Sequence, residues 1–196
     1  MLSDSQIERY SRQIVLAEIG GRGQERLLGS EVAIHGGGDG ALVCARHLAG
    51  AGVGLLGLAD AAARTALARE ERNPDCRIAS APCASPGVVI VIGGRLAVEL
   101  PRRATVLWGS AESAVVSRVH VPAERACAPC LDAFTQRQPP NDGSAQVLGT
   151  LLALDALRAL LGLGQPDEPS LLRIDLARAE TSTLPFPSRP GCSTCR

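Results

Sequence analysis

Short apolar segments alternate with amphipathic segments along most of this chain. Residues 32–35 (VAIH) predict a buried strand, and the glycine-rich turn after them leads into an amphipathic helix, ALVCARHLAGAG. A second apolar strand, over residues 53–60, ends on Asp60. Two strands joined by one helix favour a parallel pair with a right-handed crossover. We therefore expect this part of the chain to adopt an α/β fold.

The remainder of the chain continues this alternation. Apolar segments predict strands over residues 88–92, 105–108 and 113–121, and the segment AQVLGTLLALDALRALLGLG predicts a long helix. Six apolar residues of that helix are expected to form its core face: Val147, Leu148, Leu151, Leu154, Leu157 and Leu161. Together these elements predict a Rossmann-like α/β fold, with a mostly parallel sheet and flanking helices.

Composition and charge narrow the possible functions. The 196 residues suffice for one domain with a sizeable core. The formal net charge is +0, so nothing indicates binding to nucleic acid or to an anionic membrane. No apolar run is long enough to span a membrane. The beginning, MLSDSQIERYSRQ, lacks the apolar segment of a signal peptide, so we expect a cytoplasmic protein.

Four of the seven cysteines form two CxxC pairs, Cys127 with Cys130 and Cys192 with Cys195. In a cytoplasmic protein such pairs indicate a metal or redox site rather than disulfides. Four thiolates suit one tetrahedral zinc ion, and a site closed by four sulfur ligands is structural rather than catalytic. Two redox pairs or unbound thiols remain as alternatives. A zinc ion here would fasten the C-terminal tail to the strand near residue 125, giving a zinc-stapled C-terminal lobe.

Several of these segments resemble one family of proteins. ERYSRQIVLAEIGGRGQERLLGSEVAIHGGG and LAGAGVGLLGLAD are similar to the first half of the ThiF/MoeB/HesA family, relatives of the ubiquitin-activating enzymes. CAPCLDAF, GTLLALDALRALLGLGQP and PGCSTC are similar to its second half, so the resemblance covers residues 8–60 and about 120–196. It implies a Rossmann-like sheet, usually in a homodimer, that binds Mg-ATP. It also implies adenylation of the C-terminal Gly-Gly carboxylate of a small ubiquitin-like or sulfur-carrier protein.

The resemblance assigns roles to five residues. Arg12 matches an arginine that reaches into the ATP site of the partner subunit. Gly36 and Gly38 match the first two glycines of the phosphate-binding turn, and Ala41 falls where the third glycine belongs. Asp60 matches the acid that hydrogen-bonds the ribose hydroxyls. A nucleotide site is therefore expected around this turn.

Other positions depart from the family pattern. The family's Asn-x-x-Arg-Gln segment and a later lysine have no counterpart in residues 61–87. Gly93 and Gly94 stand where the family has acids that hold magnesium. Asp39 places a negative charge in the turn that should attract phosphate to a helix N-terminus. These departures predict a site that no longer holds a triphosphate.

As a single domain over residues 1–196, the chain is expected to have three parts. N-terminal helices cover residues 1–30, a shortened Rossmann-like nucleotide-binding part covers residues 31–108, and a zinc-binding C-terminal part covers residues 109–196. The expected partners are a second copy or an active homologue, and a small Gly-Gly carrier protein or a peptide.

Three hypotheses for the function follow. The first is a catalytically degenerate accessory or scaffold subunit that docks a carrier, a peptide or an active homologue. The second is an active ATP-dependent adenylyltransferase whose missing groups come from elsewhere. The third is a site for another dinucleotide such as NAD, which Asp60 suits but the CxxC pairs do not. Cys44 is expected in the core, and the roles of Cys76 and Cys83 stay open.

Overall fold

The described part of the chain forms one mixed sheet of eight strands, in the order β3-β2-β1-β4-β5-β6-β7-β8. The computed structural model describes residues 1–70, 73–80, 83–93, 103–112, 114–122, 127–135, 144–164, 168–186 and 192. The strands are β1 Glu31–Gly36, β2 Leu55–Leu58, β3 Arg77–Ser80, β4 Val88–Ile92, β5 Thr105–Glu112, β6 Val115–Val121, β7 Ser170–Asp175 and β8 Glu180–Pro185. The helices are α1 Asp4–Arg9, α2 Ser11–Ile14, α3 Gly20–Leu28, α4 Gly38–Ala51, α5 Ala61–Arg69, α6 Ala128–Thr135 and α7 Ala145–Leu161.

The sheet has a parallel half and an antiparallel half. Strands β3, β2, β1, β4 and β5 pair in parallel. Strands β6, β7 and β8 continue from β5 as antiparallel neighbours. The predicted Rossmann-like α/β fold is confirmed, and the antiparallel extension makes the sheet mixed. The carboxyl ends of the parallel strands share one edge, which is where such folds hold ligands.

Each face of the sheet has its own apolar cluster. On one face, side chains of α4, α5 and α7 pack against alternate residues of the strands, including Leu56, Ile90 and Leu107. On the other face, the fully buried Trp108 lies in a cluster that includes Leu131 of α6. Alternation along each strand supplies both clusters, because successive side chains point to opposite faces.

The long helix α7 forms where it was predicted. Its expected core face is confirmed at Leu148, Leu151 and Leu157, which lie in or pack against the core, and is wrong at Val147 and Leu154. Val147 and Leu154 are 39% and 52% exposed, whereas Leu148 and Leu152 are fully buried. The rotation of α7 follows from its contact with α4. A Cβ at Gly149 would lie closer than 3.0 Å to the carbonyl oxygen of Gly40, so the two backbones approach at these residues.

An ion pair also fixes α7 against the sheet. Arg118 Nε of β6 lies 2.6 Å from Asp155 Oδ2 of α7, and both side chains are largely buried. None of the described helices is long and apolar enough to cross a membrane.

Candidate functional site

The glycine turn lies at the carboxyl edge of the parallel strands, where β1 ends and α4 begins. Gly36 and Gly38 have φ angles of +98° and +73°, which side-chain-bearing residues rarely adopt. A Cβ at Gly36 would also collide with the carbonyl oxygen of Ile92, because β1 and β4 approach closely there. The turn therefore needs glycine, and it leads into α4, whose first backbone N–H groups have no carbonyl partner within the helix. The prediction of a glycine-built turn at this place is confirmed.

Asp60 joins this turn from the end of β2. Its Oδ2 accepts a hydrogen bond of 3.0 Å from Gly38 N, and its Oδ1 accepts one of 2.8 Å from Ala62 N at the start of α5. A Cβ at Gly37 would lie 2.6 Å from Oδ2, so the carboxylate rests directly on the turn. The hydrogen bond from Gly38, supported by that from Ala62, holds the pKa of Asp60 below its usual value. An ionised carboxylate of the chain itself thus occupies the N-terminus of α4.

Arg64 lies beside Asp60 and was not anticipated from the sequence. Its Nη1 donates to the carbonyl oxygens of Leu58 and Ala59, at 2.5 Å and 3.0 Å. Its charge helps to lower the pKa of Asp60. The sequence signal was an arginine one helical turn after an N-cap aspartate. Because Nη1 already donates hydrogen bonds to two backbone carbonyls, Arg64 stabilises the end of β2 in this structure.

Asp39 is exposed in the first turn of α4. Its Oδ2 accepts a hydrogen bond of 3.3 Å from Gln146 Nε2 of α7. The close approach between α4 and α7 lies at Gly40, where a Cβ would be 2.9 Å from the carbonyl oxygen of Ala145. Ala41, expected in place of the third glycine, is buried in the core with 1% of its surface exposed. Asp39 and the first turn of α7 therefore form one wall beside the glycine turn.

The end of β4 carries no acid. Gly93 has a φ of +65° and its N–H donates to the carbonyl oxygen of Gly109 at 2.7 Å. Gly94, the second position predicted to have lost an acid, lies outside the described residues. Within the described part of this edge, Gly93 offers no side-chain oxygen to a magnesium ion, which prefers carboxylate ligands.

Arg12 lies far from this turn. The preceding Tyr10 is buried, and its hydroxyl packs against Gly52 just after the C-terminal end of α4. The glycine turn lies at the other end of α4, whose 14 residues span about 21 Å. Arg12 itself is exposed, and it makes no ion pair with the part of the chain that the structure describes. The structure therefore does not bring Arg12 to the glycine turn of its own chain.

A polar network anchors the segment that carries Arg12. Asp75 accepts hydrogen bonds from Gln6 Nε2, Arg9 Nη1 and Tyr10 Oη, at 3.0, 2.6 and 3.0 Å. Asn73 Nδ2 donates to Tyr10 Oη at 2.7 Å. Burial is the main cause that raises the pKa of Tyr10 to about 12, so this phenol stays protonated. The network fixes the position of the start of α2 on the protein surface, and with it the position of Arg12.

Three of the four predicted metal ligands converge. The Sγ atoms of Cys127, Cys130 and Cys192 lie within 4.8 Å of one another, and all three side chains are buried. Cys127 directly precedes α6, a position where a helix N-terminus favours thiolate. Soft thiolates at this spacing fit a zinc ion. Cys195, the fourth predicted ligand, lies outside the described residues.

The other cysteines lie elsewhere. Cys44 is fully buried in the core of α4, and burial raises the pKa of its thiol. Its expected core position is confirmed. Cys83 is partly exposed, and burial is the main cause that raises the pKa of its thiol. A raised thiol pKa disfavours the thiolate needed for nucleophilic chemistry.

Comparisons with known proteins indicate a common ancestry. The chain matches no family model. It is 30% identical over 246 residues to the adenylyltransferase and sulfurtransferase MOCS3 of Bos taurus, covering 99% of this chain and 54% of that protein. It is 25% identical over 246 residues to the sulfur carrier protein adenylyltransferase of Thermus thermophilus, covering 97% and 91%. The chain thus spans about half the length of the bovine relative.

A solved structure supports the fold. The microcin C7 biosynthetic enzyme MccB, in complex with N-formylated MccA, superposes with a TM-score of 0.68 at 14% identity, covering 96% of this chain and 75% of that chain. The sequence alignments also show that this chain is shorter than its relatives over the matched region. They extend over 246 residues, whereas this chain has 196, so at least 50 positions of each relative (246 − 196) lack a counterpart here.

Proposed function

The chain belongs to the ThiF/MoeB/HesA family, and from this membership we propose that it is a non-adenylating accessory subunit in the activation of a small carrier protein or peptide. MccB, a structural neighbour, has been solved in complex with N-formylated MccA, and the sequence relatives are named for adenylyl transfer and sulfur carriers. Under this proposal the chain keeps the docking fold of the family and leaves adenylation to a homologous subunit.

The position of Asp60 carries this proposal. Its carboxylate lies on the N–H of Gly38, which is the group that a phosphate would use at the start of α4. A bound triphosphate would have to displace this anion and also approach Asp39. Catalysis of phosphoryl and adenylyl transfer depends almost entirely on positioning and on stabilising the charge of the transferred group, to which arginine, lysine and metal cations contribute. Here the neighbouring Arg64 donates to backbone carbonyls instead.

Composition supports the same conclusion. The 196 residues contain no lysine, so the family's phosphate-binding lysine cannot be supplied by another part of this sequence. Gly93 supplies no carboxylate for magnesium. Two of the charged groups on which the family's reaction depends are therefore missing from separate elements, and independent losses of this kind indicate a site without that chemistry.

We also propose that Cys127, Cys130, Cys192 and Cys195 hold one structural zinc ion. Three of their sulfur atoms already converge, and four sulfur ligands leave no open position for a substrate. The ion would join the start of α6 to the C-terminal tail. Its contribution would be to stability, because metal binding to thiolates that meet only in the folded chain adds directly to folding free energy.

The proposal is tested by calorimetric titration of the zinc-loaded chain with Mg-ATP, together with a pyrophosphate-exchange assay in the presence of a Gly-Gly carrier protein. We expect no binding up to millimolar ATP and no exchange. A related adenylyltransferase measured under the same conditions serves as the positive control. Micromolar binding that is weakened in Asp60→Asn, but not in the control Asp175→Asn, would overturn the proposal. Asp175 also accepts backbone hydrogen bonds, at the distant β7–β8 turn.

The second candidate is an active adenylyltransferase. The positive φ angles of Gly36 and Gly38 and the ionised Asp60 at the end of β2 favour it, because a nucleotide site of this fold uses a glycine turn for the phosphates and an acid for the ribose. In that case a partner subunit must supply the missing cation and the metal ligands. Pyrophosphate exchange that appears only when a candidate partner is added would support this second function.

A further inference from the structure

A groove of about 600 Å³ opens beside β3, the strand at one end of the sheet. Its walls come from the end of α5, the segment that follows and β3 itself, and they include Ala68, Glu70, Asn73, Arg77 and Ile78. Leu55, the residue of β2 in register with Arg77, precedes Asp60 by five residues, or about 17 Å of extended chain. The groove therefore lies on a different surface from the glycine turn.

Backbone groups of β3 face the open edge of the sheet. This strand pairs with β2 and with no other described strand. Arg77 N donates to the carbonyl oxygen of Gly54 at 2.9 Å, so Arg77 turns its backbone groups toward β2. Successive residues of a strand turn their N–H and C=O groups to opposite sides, so those of Ile78 and Ser80 point to the open edge. Groups at this spacing can pair with another extended chain.

The segment that precedes β3 in the groove wall is held in place by hydrogen bonds. Asn73 Nδ2 donates to Tyr10 Oη at 2.7 Å and to the carbonyl oxygen of Ala49 at 3.0 Å. Asn73 Oδ1 accepts from Asp75 N at 3.1 Å. Pro74, which also lines the groove, has a backbone restricted by its ring. A partner would thus enter a preformed groove, and ordering this wall would cost little binding free energy.

The charges of the groove favour an acidic occupant. Glu70 is already bound by Arg46, whose Nε donates to both carboxylate oxygens at 3.0 Å. Arg77 is exposed and forms no ion pair with any residue that the structure describes. Glu31, the acid in register with Arg77 two strands away, instead accepts the backbone N–H of Ser85 at 3.2 Å. The guanidinium of Arg77 is therefore available to a carboxylate from outside the chain.

The two faces of β3 offer different surroundings to an added strand. Ile78 packs against the core on the face covered by α5, and Ala68 of α5 lines the groove. Arg77 points to the opposite face, because successive side chains alternate along a strand. We propose that the free edge of β3 binds an extended segment of a partner polypeptide, in which an aliphatic residue beside Ile78 adjoins an acidic residue that pairs with Arg77. This docking site is additional to the proposed function, since neither the glycine turn nor a nucleotide takes part in it.

The test is titration of the full chain with a fluorescein-labelled peptide of sequence Thr-Val-Glu-Val-Thr, followed by fluorescence anisotropy. The wild type should bind it. Arg77→Glu should raise the Kd about 10-fold and Arg77→Gln about 3-fold, because the first variant adds repulsion whereas the second only removes attraction. A peptide with lysine in place of glutamate should bind Arg77→Glu more tightly than the wild type. Arg173→Glu, a reversal of an exposed arginine on β7, is the matched control and should leave the Kd unchanged.

Two N-methylated peptides test whether the segment pairs through its backbone. An added strand turns only alternate N–H groups toward β3. Methylation at the glutamate or at the valine after it should therefore abolish binding in one peptide and leave it nearly unchanged in the other. Circular dichroism confirms that each protein variant is folded. No binding by the wild type up to millimolar peptide, equal binding of the two methylated peptides, or wild-type affinity in Arg77→Glu would overturn the proposal.

Discussion

Replacing Gly149 by alanine tests the contact that places α7 beside the glycine turn. Two effects oppose each other. Alanine in a helix interior is favoured over glycine by about 1 kcal/mol. The new Cβ, however, would lie closer than 3.0 Å to the carbonyl oxygen of Gly40 and 3.2 Å from Cys44 N, and both are backbone atoms that cannot rotate away. Overpacking of this kind costs about 1–3 kcal/mol, and the backbone contact places it at the upper end. We expect a net loss of about 1–2 kcal/mol.

Urea unfolding followed by circular dichroism measures this difference in free energy. Gly50→Ala is the matched control, since it also lies in a helix and a Cβ there meets no atom within 4 Å. It should stabilise the chain by about 0.5–1 kcal/mol. If Gly149→Ala is as stable as the wild type while Gly50→Ala behaves as expected, then α4 and α7 are not in the close contact described.

Two further predictions concern the anchoring network and the thiolate cluster. Asp75→Asn should lower the free energy of unfolding by about 1–2 kcal/mol at pH 7, because the charge that binds Arg9 is lost from a partly buried site. Burial acts to raise the pKa of Asp75, but the hydrogen bonds from Gln6 and Tyr10 and the charge of Arg9 outweigh it and lower the pKa. A lowered folded-state pKa stabilises the fold above the unfolded value of about 3.9. The difference between wild type and Asp75→Asn should therefore shrink as the pH falls from about 4 through the folded pKa, and a pH-independent difference in urea titrations would contradict the ionic role. Cys192→Ser should reduce bound zinc from about one ion per chain to well below one, as measured by elemental analysis. The control Cys44→Ser should leave the zinc content unchanged. Equal zinc content in both variants would contradict the assignment of the ligands.

Local sequence patterns predicted the elements better than their contacts. Strands β1, β2, β4, β5 and β6 and helix α7 were predicted from apolar periodicity, which depends only on nearby residues. The core face of α7 was mispredicted at Val147 and Leu154, because the rotation of the helix depends on Gly40 and Gly149, two small residues more than 100 positions apart that allow the helices to touch. The spacing of apolar residues along the sequence carries no information about a contact between two distant glycines. The Arg118–Asp155 pair has the same origin, because burying two charges is acceptable only when the tertiary fold brings them together.

The candidate site shows the same division. The glycine turn and the CxxC spacing are local signals, and the structure gathers the turn with Asp60 and brings together Cys127, Cys130 and Cys192. The docking of Tyr10 onto Asn73 and Asp75 could not be predicted, because the partners lie more than 60 residues apart and are joined by polar rather than apolar groups. Some of the groups that the site lacks can also be recognised from the sequence alone. The missing lysine is evident in the sequence, whereas the carboxylate lying on the turn becomes evident only in three dimensions.

The effect of one substitution on anion binding separates a non-adenylating subunit from an active adenylyltransferase. In an adenylyltransferase Asp60 would bind the ribose, and Asp60→Asn would weaken nucleotide binding. In the structure its carboxylate instead competes with phosphate for Gly38 N. A hydrogen bond to a charged group contributes about 1.5–3 kcal/mol, which corresponds to a roughly 10- to 150-fold penalty on any phosphate that must displace it. Asparagine caps a helix about as well as aspartate, so α5 should stay intact in the variant. If the carboxylate blocks the turn, Asp60→Asn should bind inorganic phosphate or AMP more tightly than the wild type, and weaker binding would instead assign Asp60 to the ribose.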